Sequence, residues 1–212
     1  MENIILIGAG GHARACVDVV EQEERFKIAG LIDDSPNAPT DIFRYPVLGD
    51  RSHLETLRSS FRFALVCIGQ IKTPEPRINY FRVLRRLEFI LPAVFSPSCY
   101  ISKHAHVDEG VIVMHRAIIN AGATIQKDCI INSGALIEHD AVIGQNCHIS
   151  TNAVVNGGAT VLRKSFVGSG AVIREGVLVG ESCIIGAQSF VDRDISSGET
   201  FKNAERVNLG NS

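Results

Sequence analysis

The sequence predicts a small α/β domain over residues 1–92 followed by a parallel β-helix over residues 93–212. Two observations carry this. The first half alternates short apolar runs with a helically spaced segment, the pattern of a small parallel sheet. The second half repeats an aliphatic residue at every sixth position from 101 to 191, a period that suits a chain turning a corner every six residues.

In the first half, residues 3–7 form an apolar strand that runs into the turn Gly8-Ala9-Gly10-Gly11. Over 12–24 the residues Ala13, Cys16, Val17 and Val20 share one helical face. Residues 28–32 make a second strand closed by Asp33-Asp34-Ser35-Pro36, and 63–68 a further strand. A short helix is expected over 52–60. Thr73-Pro74-Glu75 predicts an N-cap with proline at the first helical position, opening a basic helix that runs to about residue 87. The domain is too short for a complete two-lobed dinucleotide fold.

In the second half the repeated position is filled by Ile101, Val107, Val113, Ile119, Ile125, Ile131, Ile137, Ile143, Ile149, Val155, Val161, Val167, Ile173, Val179, Ile185 and Val191. Two residues before each stands Ala, Cys, Ser or Val, from Cys99 to Ser189. The aliphatic side chain points inward and the small one fills a tighter inward site. Gly110, Gly122, Gly134, Gly158, Gly170 and Gly176 fall three residues after an aliphatic position, where a corner calls for unusual φ. Three hexads close one triangular coil, giving a little over five coils stacked about 4.8 Å apart. The same rule assigns Cys99, Cys129, Cys147 and Cys183 to packing, where a thiol is inert.

Composition narrows the function classes. A formal net charge of −2 with 21% charged residues argues against a surface built for nucleic acid or an anionic membrane. The amino-terminal stretch lacks a signal-peptide pattern and no apolar run reaches bilayer length, so a cytoplasmic enzyme is expected, without membrane insertion. The six cysteines show no CxxC spacing, so neither a disulfide framework nor a zinc knuckle is expected.

The hexad array resembles the hexapeptide-repeat acyltransferases, whose fold is a left-handed β-helix. The segments IILIGAGGHARACVDVV, LIDDSP, ALVCIGQ and IEHDAVIGQNCHISTNAVVNGGATV resemble one branch. That branch comprises nucleotide-aminosugar N-acetyltransferases of the bacillosamine and perosamine type, with the related sialic acid O-acetyltransferases; its N-terminal domain is Rossmann-like. The chain departs from it at Phe201-Lys202-Asn203-Ala204-Glu205-Arg206, which lacks the proline of the usual Gly-x-Pro-Ala-Lys. The resemblance implies an acetyl-CoA-dependent enzyme without metal, acting as a homotrimer on the amino group of a nucleotide-linked 4-amino-4,6-dideoxy sugar. O-acetylation of sialic acid or a related sugar hydroxyl is the alternative.

The turn at Gly8-Ala9-Gly10-Gly11-His12 follows a strand and opens a helix, an arrangement that presents backbone N–H groups to phosphate. The resemblance implies that Gly10, Gly11, His12, Asp33, Asp34 and Gly69 contact a uridine-type sugar nucleotide. An NAD-binding reading of the same turn lacks the second lobe it needs, and strand–turn–helix packing alone is the plain structural alternative.

His139 lies two positions after the inward Ile137 and therefore on the coil's exterior. Its neighbours one coil away, Ala121 and Gly157, are small and leave space for a ligand. An imidazole suits general-base work near neutral pH. The resemblance implies His139 as base with Asp140 raising its basicity; by residue pattern Glu138 is the alternative partner, because neighbours on a regular strand face opposite ways. His148, half a coil on, falls on another face and is implied against acetyl-CoA across a trimer cleft. Gly157, Ser169 and Ala187 are implied along the pantetheine channel. The amine is expected to attack the thioester directly, since no exposed Ser or Cys sits beside a base, with a backbone N–H holding the oxyanion. His104, His106 and His115 read as solvated exterior residues. A three-histidine zinc site, as in trimeric β-helical carbonic anhydrases, would need a close pair such as His-x4-His with a third partner at suitable spacing, which this sequence lacks. A non-enzymatic nucleotide-sugar binder would not need the His139-Asp140 pair.

Overall fold

A computed structural model describes residues 1–202; the segment from Asn203, which carries most of the departure noted above, lies outside the described residues. The chain opens with strand β1 (Glu2–Ile7), helix α1 (Gly11–Glu23) and strand β2 (Phe26–Ile32). A two-stranded hairpin of β3 (Asp41–Ile42) and β4 (Tyr45–Pro46) follows, turning through Phe43 at φ 58°. Its turn, Phe43-Arg44, lacks the Asn-Gly or Gly signal that announces hairpins in sequence. Then come α2 (Leu54–Arg58), β5 (Phe63–Val66) and α3 (Glu75–Arg86). Strands β2, β1 and β5 pair in parallel in that order. The first helical residue of α3 is Glu75, one place later than the proline rule suggests: Pro74 takes the cap position and Pro76 sits inside the first turn. The Thr73 hydroxyl still accepts from the Glu75 N–H, at 3.3 Å.

The second half is a left-handed parallel β-helix, built from two-residue strands in sheets of seven, six and five. That makes six coils rather than a little over five, because Val94–Phe95 adds a strand before the first hexad and Thr200–Phe201 one after the last. Strands pair at a shift of eighteen residues, for example Ile119 with Ile137 and Ile137 with Val155. The last pairing, Ile185 with Phe201, is two residues shorter. Every repeated aliphatic residue from Val113 to Val191 is fully buried. The small positions are as deeply buried. On one edge of the prism they are Cys129, Cys147, Ser165 and Cys183, whose side chains donate to the carbonyls of Gly144, Leu162, Gly180 and Ser196 at 2.8–3.1 Å. A thiol or hydroxyl there fills a methyl-sized site and satisfies a corner carbonyl that alanine would leave without that donor.

The corners explain the glycines. At every sixth residue from Gly110 to Gln188 the backbone is left-handed, with φ between 55° and 77°. Glycine occupies this position without steric cost, and aspartate and asparagine visit it most readily among the rest. Asp128, Asp140, Asn146 and Asn152 accordingly stand there.

The α/β domain sits on the seven-stranded face. The outward residues Val94, Ile112 and Ile130 of that face are buried in one cluster with Ala13, Val17 and Val20 of α1. Polar contacts cross the same junction. His115, expected to be solvated, instead bridges it: Nδ1 contacts Ser96 Oγ and Nε2 contacts Asp18 Oδ2, both at 2.7 Å. A helix docked over that coil converts an exterior position into an interface.

Candidate active site

The Gly8–Ala9–Gly10–Gly11 turn lies at the carboxyl ends of the parallel strands. Gly8, at φ 107°, has no room for a Cβ, which would meet Ile68 at 2.8 Å. Gly10 and Gly11 instead face open space. Gly10 is the N-cap of α1 and offers no side chain to the first-turn N–H groups. These donors therefore remain available to an anion at the positive helix end. A cavity of roughly 520 Å³ opens there, lined by Gly10, Gly11, His12, Asp33, Asp34 and Gly69, so the structure brings all six expected substrate residues together.

The two aspartates differ in what they do locally. Asp33 accepts from Ala9 N at 2.6 Å and Ser35 N at 2.8 Å, bracing the glycine turn against the end of β2. Asp34 accepts from Arg51 N at 2.8 Å and pairs with Arg51 Nε at 3.3 Å. The Arg51 guanidinium lies 4.1 Å above the Tyr80 ring, and both line the cavity. Burial pushes the Tyr80 phenol well above its ordinary range, so it stays protonated. Arg51 and Tyr80 escape the sequence reading because they come from separate elements, and only the fold stacks them.

His139 stands on the corner between the six- and five-stranded faces, with its side chain 66% exposed. Its Nδ1 lies 3.0 Å from Asp140 Oδ2. The left-handed backbone at Asp140, φ 59°, folds that carboxylate back beside the imidazole, which a regular strand would prevent. Glu138 is occupied otherwise, accepting from Asn120 Nδ2 at 2.8 Å. Gly157 lies one coil on, and a Cβ there would sit 2.6 Å from His139 Nε2. This glycine serves space rather than backbone, since its φ is ordinary. Nε2 has no hydrogen-bond partner among the described residues.

His148 is 6% exposed, on the face covered by the α/β domain. Nδ1 lies 2.7 Å from the Gln70 carbonyl and Nε2 3.2 Å from Asn132 Nδ2. These partners make Nδ1 the donor and Nε2 the acceptor of a neutral ring. Burial lowers its pKa to about 4. Its ring is 5.2 Å from Phe166 and 6.3 Å from His12, so it backs onto the cavity beside the glycine turn. Asn132 and Gln70 were not legible in the sequence, because each gains meaning only from His148. Ser169 and Ala187 stand on the corner between the seven- and six-stranded faces, whereas Gly157 follows the His139 corner. Within one chain these three do not line a single channel. Among the described residues no group of three or more His, Cys, Asp or Glu side chains is placed to hold a metal ion, and no helix is long and apolar enough to cross a membrane.

Comparison with known proteins gives the architecture a family. Residues 3–81 match the PglD N-terminal domain, and residues 122–157 match the bacterial transferase hexapeptide family of six repeats. A comparison with curated proteins gave no match. Among solved structures, PerB from Caulobacter crescentus in complex with CoA and GDP-perosamine is 31% identical, with a TM-score of 0.85 over 93% of this chain and 92% of that one. A histidine-to-asparagine variant of perosamine N-acetyltransferase from the same organism, also with CoA and GDP-perosamine, is 30% identical, with a TM-score of 0.86 over 93% and 91%. The acetyltransferase domain of PglB from Neisseria gonorrhoeae FA1090, at 24% identity and a TM-score of 0.85 over 93% and 95%, shares the fold. At this identity over nearly the whole length of both Caulobacter structures, one of them a perosamine N-acetyltransferase, the chain belongs to the hexapeptide-repeat acyltransferases, in the nucleotide-aminosugar N-acetyltransferase branch, and is an acetyltransferase.

Proposed function

We propose that the protein transfers the acetyl group of acetyl-CoA to the amino group of a nucleotide-linked 4-amino-4,6-dideoxy sugar, with His139 as general base. The observation that carries this is the His139–Asp140 pair, exposed on a corner with its imidazole packed over Gly157, where any side chain would displace the ring. CoA and GDP-perosamine in similar structures support the two substrates, and one of those structures carries a replaced histidine. The glycine turn and α1 N-terminus take the diphosphate. Arg51, Tyr80 and Asp34 offer a stacking face and polar partners to the nucleoside. His139 Nε2 accepts the proton as the amine attacks the thioester carbonyl; the C–S bond breaks, and the thiolate leaves and recovers that proton. Asp140 accepts from Nδ1, keeping the proton there and Nε2 basic.

The reaction site is incomplete in one chain. His139 lies on one corner, and Ser169 and Ala187 on another. The six-stranded face between those corners carries outward Tyr100, Ile118, Leu136, Val154 and Val172 in successive coils. This is an apolar ladder suited to a second copy of the chain. A threefold ring of such contacts sets the His139 corner of one subunit against the Ser169 and Ala187 corner of the next, with acetyl-CoA in the groove between them. His148, enclosed by Gln70, Asn132 and Phe166, borders the sugar side of that cleft. A thiol-release assay with acetyl-CoA against UDP-, GDP-, dTDP- and CMP-linked amino and hydroxy sugars tests the reading. Thiol release only with a hydroxy sugar overturns N-acetylation, and none with any acceptor overturns the assignment.

A further inference from the structure

Residues 66–70 leave the end of β5 and form one wall of the sugar-nucleotide cavity, with Cys67, Ile68 and Gly69 lining it. Beyond Val66 this stretch belongs to no strand. Its carbonyls are held instead by side chains that reach in from elsewhere. Arg77 Nη1, from α3, donates to Val66 O at 2.8 Å and Ile68 O at 3.1 Å. His148, from the β-helix, donates to Gln70 O. The second arm of the Arg77 guanidinium binds Asp128, at its Oδ1 and at its carbonyl. Asp128 occupies a left-handed corner of the β-helix, and its other oxygen accepts from Asn146 Nδ2 at 2.9 Å, one coil on. Arg77 and Asp128 side chains are both fully buried.

A completely buried ion pair is a poor device for stability, because desolvation offsets most of its attraction and an apolar pair of similar volume commonly does as well. What this pair supplies, and an apolar one would not, is direction. A planar guanidinium has a fixed fork of donors. Here it grips two carbonyls of the cavity wall on one side and one corner of the β-helix on the other. Cavity wall and acetylation scaffold are thereby locked in one mutual placement.

We propose that Arg77, through Asp128, is a positioning residue: it registers the cavity wall at residues 66–70 to the β-helix, and so sets where the bound sugar presents its amine to the catalytic corner. This rests on the reading of the cavity as the sugar-nucleotide site. A loose wall weakens capture and alignment of the sugar while leaving the acetyl-CoA groove, which it does not touch, unchanged.

The test compares Arg77→Met, Arg77→Lys and the double variant Arg77→Met/Asp128→Asn in the full-length protein. The double variant leaves no buried charge, and asparagine suits the left-handed corner. Steady-state kinetics with the acceptor found active in the panel should show KM for that acceptor raised about tenfold or more in the double variant, with KM for acetyl-CoA within about twofold of the parent. Arg77→Lys, a charge without the fork, should fall between. Hydrogen exchange at residues 66–70 should be faster in the double variant at unchanged melting temperature. A double variant with parent melting temperature, parent exchange and parent acceptor KM overturns the proposal and leaves the pair a packing feature. A parent that binds no nucleotide sugar overturns the reading of the cavity instead; hydrogen exchange then decides the positioning role alone.

Discussion

At the scale of single residues, the site depends on corners rather than strands. His139 and Asp140 are neighbours in sequence, and the left-handed turn at Asp140 is what allows their side chains to meet. Replacing His139 by Ala should leave the fold intact, since Ala121 and Gly157 already occupy equivalent exterior sites with almost no side chain. Turnover should fall by about two to four orders of magnitude. Asp140→Asn should cost less, because the base itself remains. Near-parent turnover in His139→Ala, with chemistry shown to be rate-limiting by single-turnover kinetics, would remove it as the base. His148 governs a different property. Its pKa is about 4 when folded against an ordinary 6.5, so between those values the unfolded chain binds the extra proton. Stability is then complete above about pH 6.5 and declines as pH falls toward 4, by roughly 3 kcal/mol for this group alone. Thermal melts across that window should show the decline, and a His148→Asn variant should show a shallower one. Equal slopes would mean that the ring is not held neutral.

At the scale of elements, the β-helix draws its order from repetition. Each coil adds three inward aliphatic residues and three small ones, and the ladder hydrogen bonds run coil to coil at a shift of eighteen residues. No coil buries its inward face without the next. Ile137, fully buried between Ile119 and Val155, is a stringent probe of that register. Ile137→Asp should place a charge in a core with no cation to pair it and cost more than about 4 kcal/mol. The expected result is insoluble protein or loss of the cooperative melt. A soluble assembly with the parent melting temperature would place Ile137 outside the core.

At the scale of the whole molecule, two surfaces of the prism are committed differently. The seven-stranded face is covered by the α/β domain, through α1 packing and the contacts of His115, Arg77 and His148. The six-stranded face keeps its apolar ladder at the surface, with Tyr100 58% exposed. Light scattering should report a trimer. Val154→Glu, in the middle of the ladder, should yield smaller species that have lost acetyl transfer while the single-chain melt remains cooperative. A fully active monomer would show that one chain completes the site alone.

The sequence by itself determined the β-helix down to its inward register, because a six-residue period leaves one arrangement in which the repeated aliphatic position always faces the core. It also marked the glycine turn, the acidic pair after β2 and His139, since each follows from chain-local geometry. Only the tertiary structure shows which carboxylate hydrogen-bonds to the His139 ring, for a strand rule does not apply at a left-handed corner. It alone brought Arg51 over Tyr80, Arg77 against Asp128, and Gln70 and Asn132 to His148. Those contacts join residues as far as 78 positions apart. Arg51 and Tyr80 meet inside the α/β domain and Asn132 and His148 inside the β-helix, whereas Arg77–Asp128 and Gln70–His148 arise where the one docks on the other, and docking depends on two complementary surfaces that no local pattern records.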